Sequence, residues 1–144
     1  MKELIEQIKK ARYVFLCGNG GSSATAEHIT SDLFARGIKA ICLNSNNAIM
    51  TMIANDFGYE YVFSKQLNVF ATKDDLLIVI SGSGNSQNIL EALYDTKYKT
   101  FGLLGMGGGE AINLVDHFIL VSSDDYGKIE DEHLAIGHKI KELL

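Results

Sequence analysis

A run of six small residues, Ser81-Gly82-Ser83-Gly84-Asn85-Ser86, follows an apolar stretch and precedes a segment with helical spacing. Small residues let the backbone approach a ligand, and hydroxyls together with unpaired amide hydrogens can donate to an anion. The same residue types are preferred for helix caps and turns. Because one cap needs only one residue and six are present, the run predicts a phosphate site.

A second run, Gly18-Asn19-Gly20-Gly21-Ser22-Ser23, is close to the GxGxxG pattern of dinucleotide-binding folds. Ser23 stands where the third glycine belongs, and the second predicted strand ends in Leu43-Asn44 rather than in an acidic ligand for ribose. The run also lacks the lysine of a P-loop. NAD is therefore the weaker interpretation, and a small anion held by backbone amides stays open.

Histidines and carboxylates at helical spacing suggest a metal site. His28 and Asp32 are four residues apart, so a helix would place both on one face, about 6 Å apart along its axis, where they can share one ion. Glu130 and His138 are eight residues apart, about 12 Å along a helix, and both could reach a metal midway between them. The alternative is a solvated His–Asp pair worth a few tenths of a kcal/mol, and spacing alone favours that alternative.

The serine, histidine and carboxylate residues named above must be positioned by secondary structure, and the sequence contains several short apolar runs without polar alternation. Such strands are buried on both faces, which is typical of a parallel sheet covered by helices. Right-handed crossovers then predict a doubly wound, flavodoxin-like α/β fold with five parallel strands and with ligands at the strands' carboxyl ends. The predicted strands cover residues 13–17, 40–43, 76–80, 100–104 and 117–121, and the predicted helices cover 2–11, 24–35, 47–55, 60–70, 89–94 and 128–144.

Composition excludes several classes of protein. The chain has 144 residues, 47% of them apolar, and a net charge of −5, which exclude disorder and argue against a nucleic-acid partner. No apolar run is long enough for a membrane helix, and no signal peptide precedes the first helix, so we expect a cytoplasmic protein with a single domain over residues 1–144. Cys17 and Cys42 are interpreted as core thiols, and His117 and His133 as structural.

Several segments together resemble the phosphoheptose isomerases of the sugar isomerase (SIS) domain superfamily. The resemblance implies a SIS domain and an aldose–ketose isomerase that interconverts sedoheptulose 7-phosphate and D-glycero-D-manno-heptose 7-phosphate, which supplies heptose for surface polysaccharide. The matching residues are Cys17 to Ser22, His28, Asn55 to Gly58, Phe63-Ser64, Ile80-Ser81, Ser83 to Ser86, Gly102-Leu103 and Ile129 to His138.

The resemblance also implies residue roles. Asp32 would be the base and His138 the acid, and one zinc ion would be held by His28, Asp32, Glu130 and His138. The family's active site lies between subunits, which predicts a homo-oligomer, either a dimer or a tetramer. The residues expected to bind the phosphosugar are Asn19, Gly20, Ser22, Asn55, Asp56, Ser81, Gly82, Ser83 and Ser86.

Two residues depart from the family pattern, which has Glu at the position of Asp32 and Gln at that of Glu130. One hypothesis is that the changes compensate, with both carboxylates neutralising a divalent ion and Glu130 sharing the role of base. Two other functions stay open: a non-catalytic SIS protein that binds a phosphosugar or a protein partner, as in a relative that engages the replication initiator, and an isomerase for another ketose phosphate.

Overall fold

The computed structural model describes residues 1–94 and 96–144. Its strands form one sheet in which every neighbouring pair is parallel, in the order β2-β1-β3-β4-β5. This is the doubly wound, flavodoxin-like order that the sequence predicts. The strands are β1 (Val14–Gly18), β2 (Ala40–Cys42), β3 (Leu76–Ser81), β4 (Lys99–Leu104) and β5 (His117–Leu120).

Helices cover both faces of the sheet and divide the core into two layers. On one face, side chains such as Leu4, Ala26 and Ile140 pack against the sheet. On the other face, Phe63 and Ile89 do so. The helices are α1 (Lys2–Lys10), α2 (Gly21–Ala35), α3 (Asn47–Asp56), α4 (Ser64–Phe70), α5 (Gln87–Leu93) and α6 (Tyr126–Leu143).

The central strands are buried along their whole length. All residues of β1 and β3 are buried, which explains their unbroken apolar sequences. Cys17 and Cys42 are free and buried, as predicted, and burial raises the pKa of both thiols. Within residues 1–94 and 96–144, no helix combines the length and apolar character needed to span a membrane.

Several helix boundaries differ from the sequence expectation. Helix α2 begins at Gly21 rather than Ala24, because Gly20 turns the chain at φ +56° and the amides of Ser22 and Ser23 already bond the carbonyls of Asn19 and Gly20. The predicted helix over residues 60–70 is a 3₁₀ turn (Tyr59–Tyr61) followed by α4. The early start of α2 places Ser22 in the first turn of a helix.

Helix α6 also starts two residues before the predicted boundary. The Asp125 carboxylate caps it by accepting a hydrogen bond from the Lys128 amide at 3.2 Å. The cap fixes the point at which the chain leaves β5 and turns across the sheet. It therefore determines where Tyr126 and Glu130 lie relative to the ends of β1 and β3.

Candidate active site

The serine loop, residues 81–86, begins at the last residue of β3. Some of its serine hydroxyls stabilise the turn, and one makes no such bond. Ser81 Oγ accepts a hydrogen bond from the Gly84 amide at 3.0 Å, and Ser83 Oγ accepts one from the Asn85 amide at 3.2 Å. Ser86 occupies the N-cap position of α5, but its side chain makes no capping bond. The alternative that these residues only form a turn and a cap thus accounts for Ser81 and Ser83 and leaves Ser86 available.

Gly84 lets this loop pack against the glycine-rich segment after β4. Its φ is +67°, and a Cβ there would overlap the carbonyl group of Gly108. The Gly84 carbonyl in turn accepts a hydrogen bond from the Ala111 amide at 3.0 Å. The loop conformation is therefore fixed by the neighbouring loop and does not need a ligand to form.

A cavity of about 100 Å³ opens beside the serine loop. It brings together residues from the turn after β1, from α2, from the end of β3 and its serine loop, and from the start of α6, at the carboxyl ends of the two central strands. Its lining consists of Asn19, Ser22, Ile80, Ser81, Gly82, Ser83, Ser86, Tyr126 and Glu130. We name this volume the serine cavity. Most of its lining residues are among those expected to bind substrate.

Tyr126 is a lining residue that sequence reasoning missed. A Cβ at Gly82 would lie 2.9 Å from two ring carbons of Tyr126, so the bare glycine is what lets the ring lie against the serine loop. The only sequence signal was Asp125, a good helix-capping residue directly before it. A cap predicts where a helix starts, but it does not predict which loop the first side chain meets.

Three predicted substrate ligands lie outside the cavity lining. Gly20 is the N-cap residue of α2, beside the lining residue Asn19. Asn55 and Asp56 are exposed at the end of α3, where Asn55 Nδ2 donates to Asp56 Oδ1 at 2.9 Å. The structure of one chain therefore does not bring these last two side chains to the serine cavity, and their role in binding stays a prediction.

Helices α2 and α6 pack side by side and run in the same direction, so that successive turns of one helix contact successive turns of the other. His138 meets His28 and Lys141 meets Asp32, at sequence separations of 110 and 109 residues. Gly137 makes the close approach possible, because a Cβ there would lie 2.6 Å from Ile29 Cγ1. Side chains one helical turn apart on α2 therefore face side chains one turn apart on α6.

His28, Asp32 and His138 form a cluster at this helix pair, which we name the His–Asp–His cluster. Their ligand atoms all lie within 4.8 Å of one another. His28 Nε2 is 3.2 Å from His138 Nε2 and 3.5 Å from Asp32 Oδ2. Both imidazoles are exposed, whereas Asp32 is only 6% exposed. The cluster is thus open to solvent on the histidine side and closed on the carboxylate side.

Asp32 has one satisfied and one unsatisfied oxygen. Lys141 Nζ donates to Oδ1 at 2.6 Å, whereas Oδ2 is buried without a hydrogen-bond partner among the described residues. A buried carboxylate oxygen without a partner is costly unless something binds it. Two imidazole nitrogens and one carboxylate oxygen are common zinc ligands, and catalytic zinc sites typically use three protein ligands and keep one position open. These residues therefore fit a zinc ion.

Glu130 is not part of that cluster. Its carboxylate packs against Gly21 in the first turn of α2, where even a methyl group on Gly21 would overlap it. A carboxylate is stabilised at a helix N-terminus by the partial positive charge there. Glu130 thus lines the serine cavity, and its predicted role as a fourth zinc ligand stays a prediction.

The remaining histidines lie apart from both features. His133 is fully buried on α6, and burial lowers the pKa of its imidazole, which favours the neutral form. His117 is exposed on β5, with Nε2 3.7 Å from Glu3 Oε1. The interpretation of both as structural is consistent with these positions.

Comparisons with known proteins agree with this geometry. The family model for the SIS domain matches residues 1–108. The phosphoheptose isomerase of a Nitratiruptor species is 41% identical over 149 residues, which covers 97% of this chain and 80% of that protein.

Two solved structures share the fold over nearly the whole chain. The phosphoheptose isomerase from Francisella tularensis superposes with a TM-score of 0.91 at 32% identity, covering 98% of this chain and 82% of that one. The enzyme from Neisseria gonorrhoeae gives a TM-score of 0.92 at 28% identity, covering 99% and 80%. Because the SIS-domain model matches most of the chain and a phosphoheptose isomerase is 41% identical over 97% of it, the chain belongs to the phosphoheptose isomerase family of SIS-domain proteins.

Proposed function

We propose that this chain is an aldose–ketose isomerase that converts sedoheptulose 7-phosphate to D-glycero-D-manno-heptose 7-phosphate, for the synthesis of surface polysaccharide. The observation that carries the proposal is the shared register of α2 and α6. Ser22 and Glu130 line the serine cavity, while His28 and His138 lie further along the same two helices, roughly 9 to 12 Å away by helical rise. A sugar of several carbons with a terminal phosphate can span these two points.

The serine cavity binds the phosphate end. Ser22 and Ser86 offer hydroxyls, and the backbone of the serine loop, with glycine at 82, allows close approach. Since the Glu130 carboxylate repels a phosphate dianion, the phosphate occupies the serine-loop side of the cavity, and Glu130 accepts hydrogen bonds from sugar hydroxyls. This arrangement orients the substrate with its carbonyl end toward the His–Asp–His cluster, and orientation of this kind contributes much of an isomerase's rate.

Asp32 and His138 move the protons. Asp32 takes the proton from C1 of the ketose and returns it to C2, while His138 gives a proton to the oxygen on C2 and accepts the one on the C1 hydroxyl. The intermediate between the two half-reactions is the enediol. The open histidine side of the cluster suits contact with substrate, and it lets the proton held on Asp32 exchange with solvent between the two half-reactions.

His28, Asp32 and His138 would hold a zinc ion, which supplies a Lewis acid for the carbonyl oxygen when bound. The histidines approach each other with their Nε2 atoms, the nitrogens farther from the backbone, which suits coordination from two neighbouring helices. The unsatisfied Asp32 Oδ2 is the third donor. The family resemblance implies Glu130 as a fourth ligand, but its carboxylate packs against Gly21 outside this set, so the proposal takes three protein ligands.

We infer that the protein is a homo-oligomer, a dimer or a tetramer, built from one SIS domain per chain and located in the cytoplasm. Several large apolar side chains are exposed, among them Phe34 and Val69, each 77% exposed. Phe34 on α2 and Val69 on α4 belong to helices on opposite faces of the sheet, and burial of either side chain against another subunit would be favourable. Light scattering coupled to size exclusion measures the state directly, and a monomer would contradict a site shared between subunits.

The activity is tested by incubating the purified chain with sedoheptulose 7-phosphate in D₂O and following the reaction by NMR, with and without zinc. The proposal predicts aldose formation with deuterium at C2, and its loss in a His138→Gln variant. A Lys139→Met variant is the matched control, because Lys139 lies on the same helix and, within residues 1–94 and 96–144, forms its ion pair with Glu142. Phosphosugar binding without deuterium incorporation would instead support a non-catalytic SIS protein, and conversion of a pentulose or hexulose phosphate alone would support another isomerase.

A further inference from the structure

Asn88 connects the two walls of the serine cavity, although it does not line the cavity itself. Its side-chain amide forms a reciprocal pair with that of Asn19: Asn19 Nδ2 donates to Asn88 Oδ1 at 2.8 Å, and Asn88 Nδ2 donates to Asn19 Oδ1 at 2.9 Å. The partners are 69 residues apart in sequence. Asn88 is 2% exposed, so the pair lies largely out of water, where hydrogen bonds are stronger and lost partners are costly.

A third group completes the bonding of Asn19. Tyr59 donates its hydroxyl hydrogen to Asn19 Oδ1 at 3.0 Å. The carbonyl oxygen of an amide has two lone pairs, and its NH₂ group has two hydrogens. With both Asn88 and Tyr59 donating to it, Asn19 Oδ1 has no acceptor capacity left. The Asn19 side chain therefore keeps one N–H for a ligand while its other groups are held by Asn88 and Tyr59.

Each end of the amide pair is fixed to a cavity residue. The Asn19 carbonyl accepts a hydrogen bond from the Ser22 amide at 3.0 Å, so its position sets that of Ser22 in the first turn of α2. Asn88 lies in the first turn of α5, which begins as Ile89 and Leu90 donate their amides to the Ser86 carbonyl. The amide pair thus holds the first turn of α2 against the first turn of α5.

We propose that Asn88 is a positioning residue for phosphosugar binding, acting through Asn19 to set the spacing between Ser22 and Ser86, with Tyr59 as a weaker contributor. This rests on the proposed function, since it assumes that the serine cavity takes the phosphate. It predicts that Asn88 affects the binding of the anion more than the chemistry at the His–Asp–His cluster. Interactions made equally in the ground state and the transition state change KM and leave kcat unchanged.

The test uses Asn88→Leu, which keeps the approximate size of the side chain and adds no charge but can neither donate to Asn19 Oδ1 nor accept from Asn19 Nδ2. We expect KM for sedoheptulose 7-phosphate to rise about tenfold while kcat stays within about twofold. The affinity for inorganic phosphate, measured by calorimetry, should fall about tenfold as well. Gln87→Ala is the matched control, because Gln87 is the exposed neighbour on α5 and, in the part of the chain that the structure describes, its side chain bonds Glu91.

A double-mutant cycle with Asn19→Ala, Asn88→Ala and the double variant gives a second readout. Because the two residues act as one unit, their effects on phosphate affinity should not add. The double variant should therefore bind phosphate about as weakly as either single variant. Tyr59→Phe should weaken binding by less, with Tyr61→Phe as its control. Unchanged phosphate affinity and KM in Asn88→Leu, with only a lower melting temperature, would overturn the proposal.

The calorimetric readout separates this inference from the proposed function. If the chain proves inactive on every phosphosugar but binds phosphate with an affinity that depends on Asn88, the positioning role stands and the isomerase function fails. If the isomerase reaction is present and phosphate affinity does not depend on Asn88, the function stands and the positioning role fails.

Discussion

Lys141 Nζ lies 2.6 Å from Asp32 Oδ1, and Oδ2 of the same carboxylate faces His28 at 3.5 Å without a hydrogen-bond partner among the described residues. The two oxygens of Asp32 therefore have different environments. One is held by a cation, and the other is left for a metal ion or a substrate proton. Aspartate is one methylene shorter than glutamate, so its carboxylate depends on such a partner to be held toward the histidines.

Replacing Lys141 should impair the cluster without unfolding the protein. In Lys141→Met the Asp32 carboxylate loses the bond that orients it, and loss of a partner behind a metal ligand typically costs about 10- to 100-fold in metal affinity or activity. We expect kcat to fall by at least about tenfold. Zinc affinity is measured by competition with a chelator, and Lys139→Met should change neither quantity. Tighter zinc binding with an unchanged rate would show that Lys141 only competes with the ion.

Widening the gap between α2 and α6 should separate the histidines. In Gly137→Ala the new methyl group would meet Ile29, and such overpacking costs about 1 to 3 kcal/mol, partly offset by the better helix propensity of alanine. We expect weaker zinc binding, measured by calorimetry. Adding Ile29→Ala should restore zinc affinity, because it removes the side chain that the methyl group displaces.

Gly127→Ala is the matched control for that experiment. Gly127 lies in the first turn of the same helix, and a Cβ there would meet only the Asp125 carboxylate, at 3.3 Å. It should leave zinc affinity unchanged. Equal zinc affinity in Gly137→Ala and in the unmodified chain would contradict the importance of close helix packing.

Neutralising Glu130 should strengthen anion binding. A unit charge at about 4 Å contributes about 1 kcal/mol even at the dielectric constant of water, so Glu130→Gln should tighten the binding of inorganic phosphate about fivefold. Because Glu130 lies outside the His–Asp–His cluster, bound zinc, measured by atomic absorption, should stay the same. Loss of zinc in this variant would instead establish Glu130 as a ligand and support the hypothesis that it compensates for the shorter Asp32.

Asp75 should control stability at acid pH. Its carboxylate is 2% exposed and accepts hydrogen bonds from Arg12, Tyr13 and Thr72. Burial alone would raise its pKa, but the Arg12 and Thr72 hydrogen bonds outweigh burial and hold the pKa below 3.8. A depressed pKa means that the stabilisation is present above pH 3.8 and is lost as pH falls through the lower, folded-state value.

The measurement is urea unfolding of the unmodified chain and Asp75→Asn between neutral pH and the acid range. At neutral pH we expect the variant to lose about 1 to 3 kcal/mol of unfolding free energy, since an amide cannot accept all of these bonds. The difference should shrink as the carboxylate protonates. A difference that stays constant down to the lowest pH would contradict a depressed pKa.

The sequence was sufficient for the fold because the strands are short, apolar and regularly separated by helices. It was also sufficient for the pairing of His28 with Asp32, since these residues share a helix face. The partnership of His28 with His138 came from resemblance, because residues 110 positions apart are joined only by the packing of α6 on α2.

What sequence reasoning missed depends on contacts between distant segments. Lys141 reads as an ordinary lysine on a solvated helix, and nothing local indicates that it reaches Asp32. Asn88 and Tyr59 bond Asn19 across 69 and 40 residues. Glu130 was expected at the metal from the family resemblance, and sequence reasoning gave no sign that the start of α6 against Gly21 would also place it in the lining of the serine cavity.

The central claim is that one substrate molecule extends from the serine cavity to the His–Asp–His cluster. It is tested most directly by loading the protein with Co²⁺ and measuring the paramagnetic relaxation of the ³¹P signal of bound sedoheptulose 7-phosphate. The positions of Ser22 and His28 on α2 predict a phosphorus-to-metal distance on the order of 10 Å. A Ser86→Ala variant should weaken substrate binding without changing that distance. Phosphorus in direct contact with the metal, or no relaxation effect with substrate bound, would contradict the account.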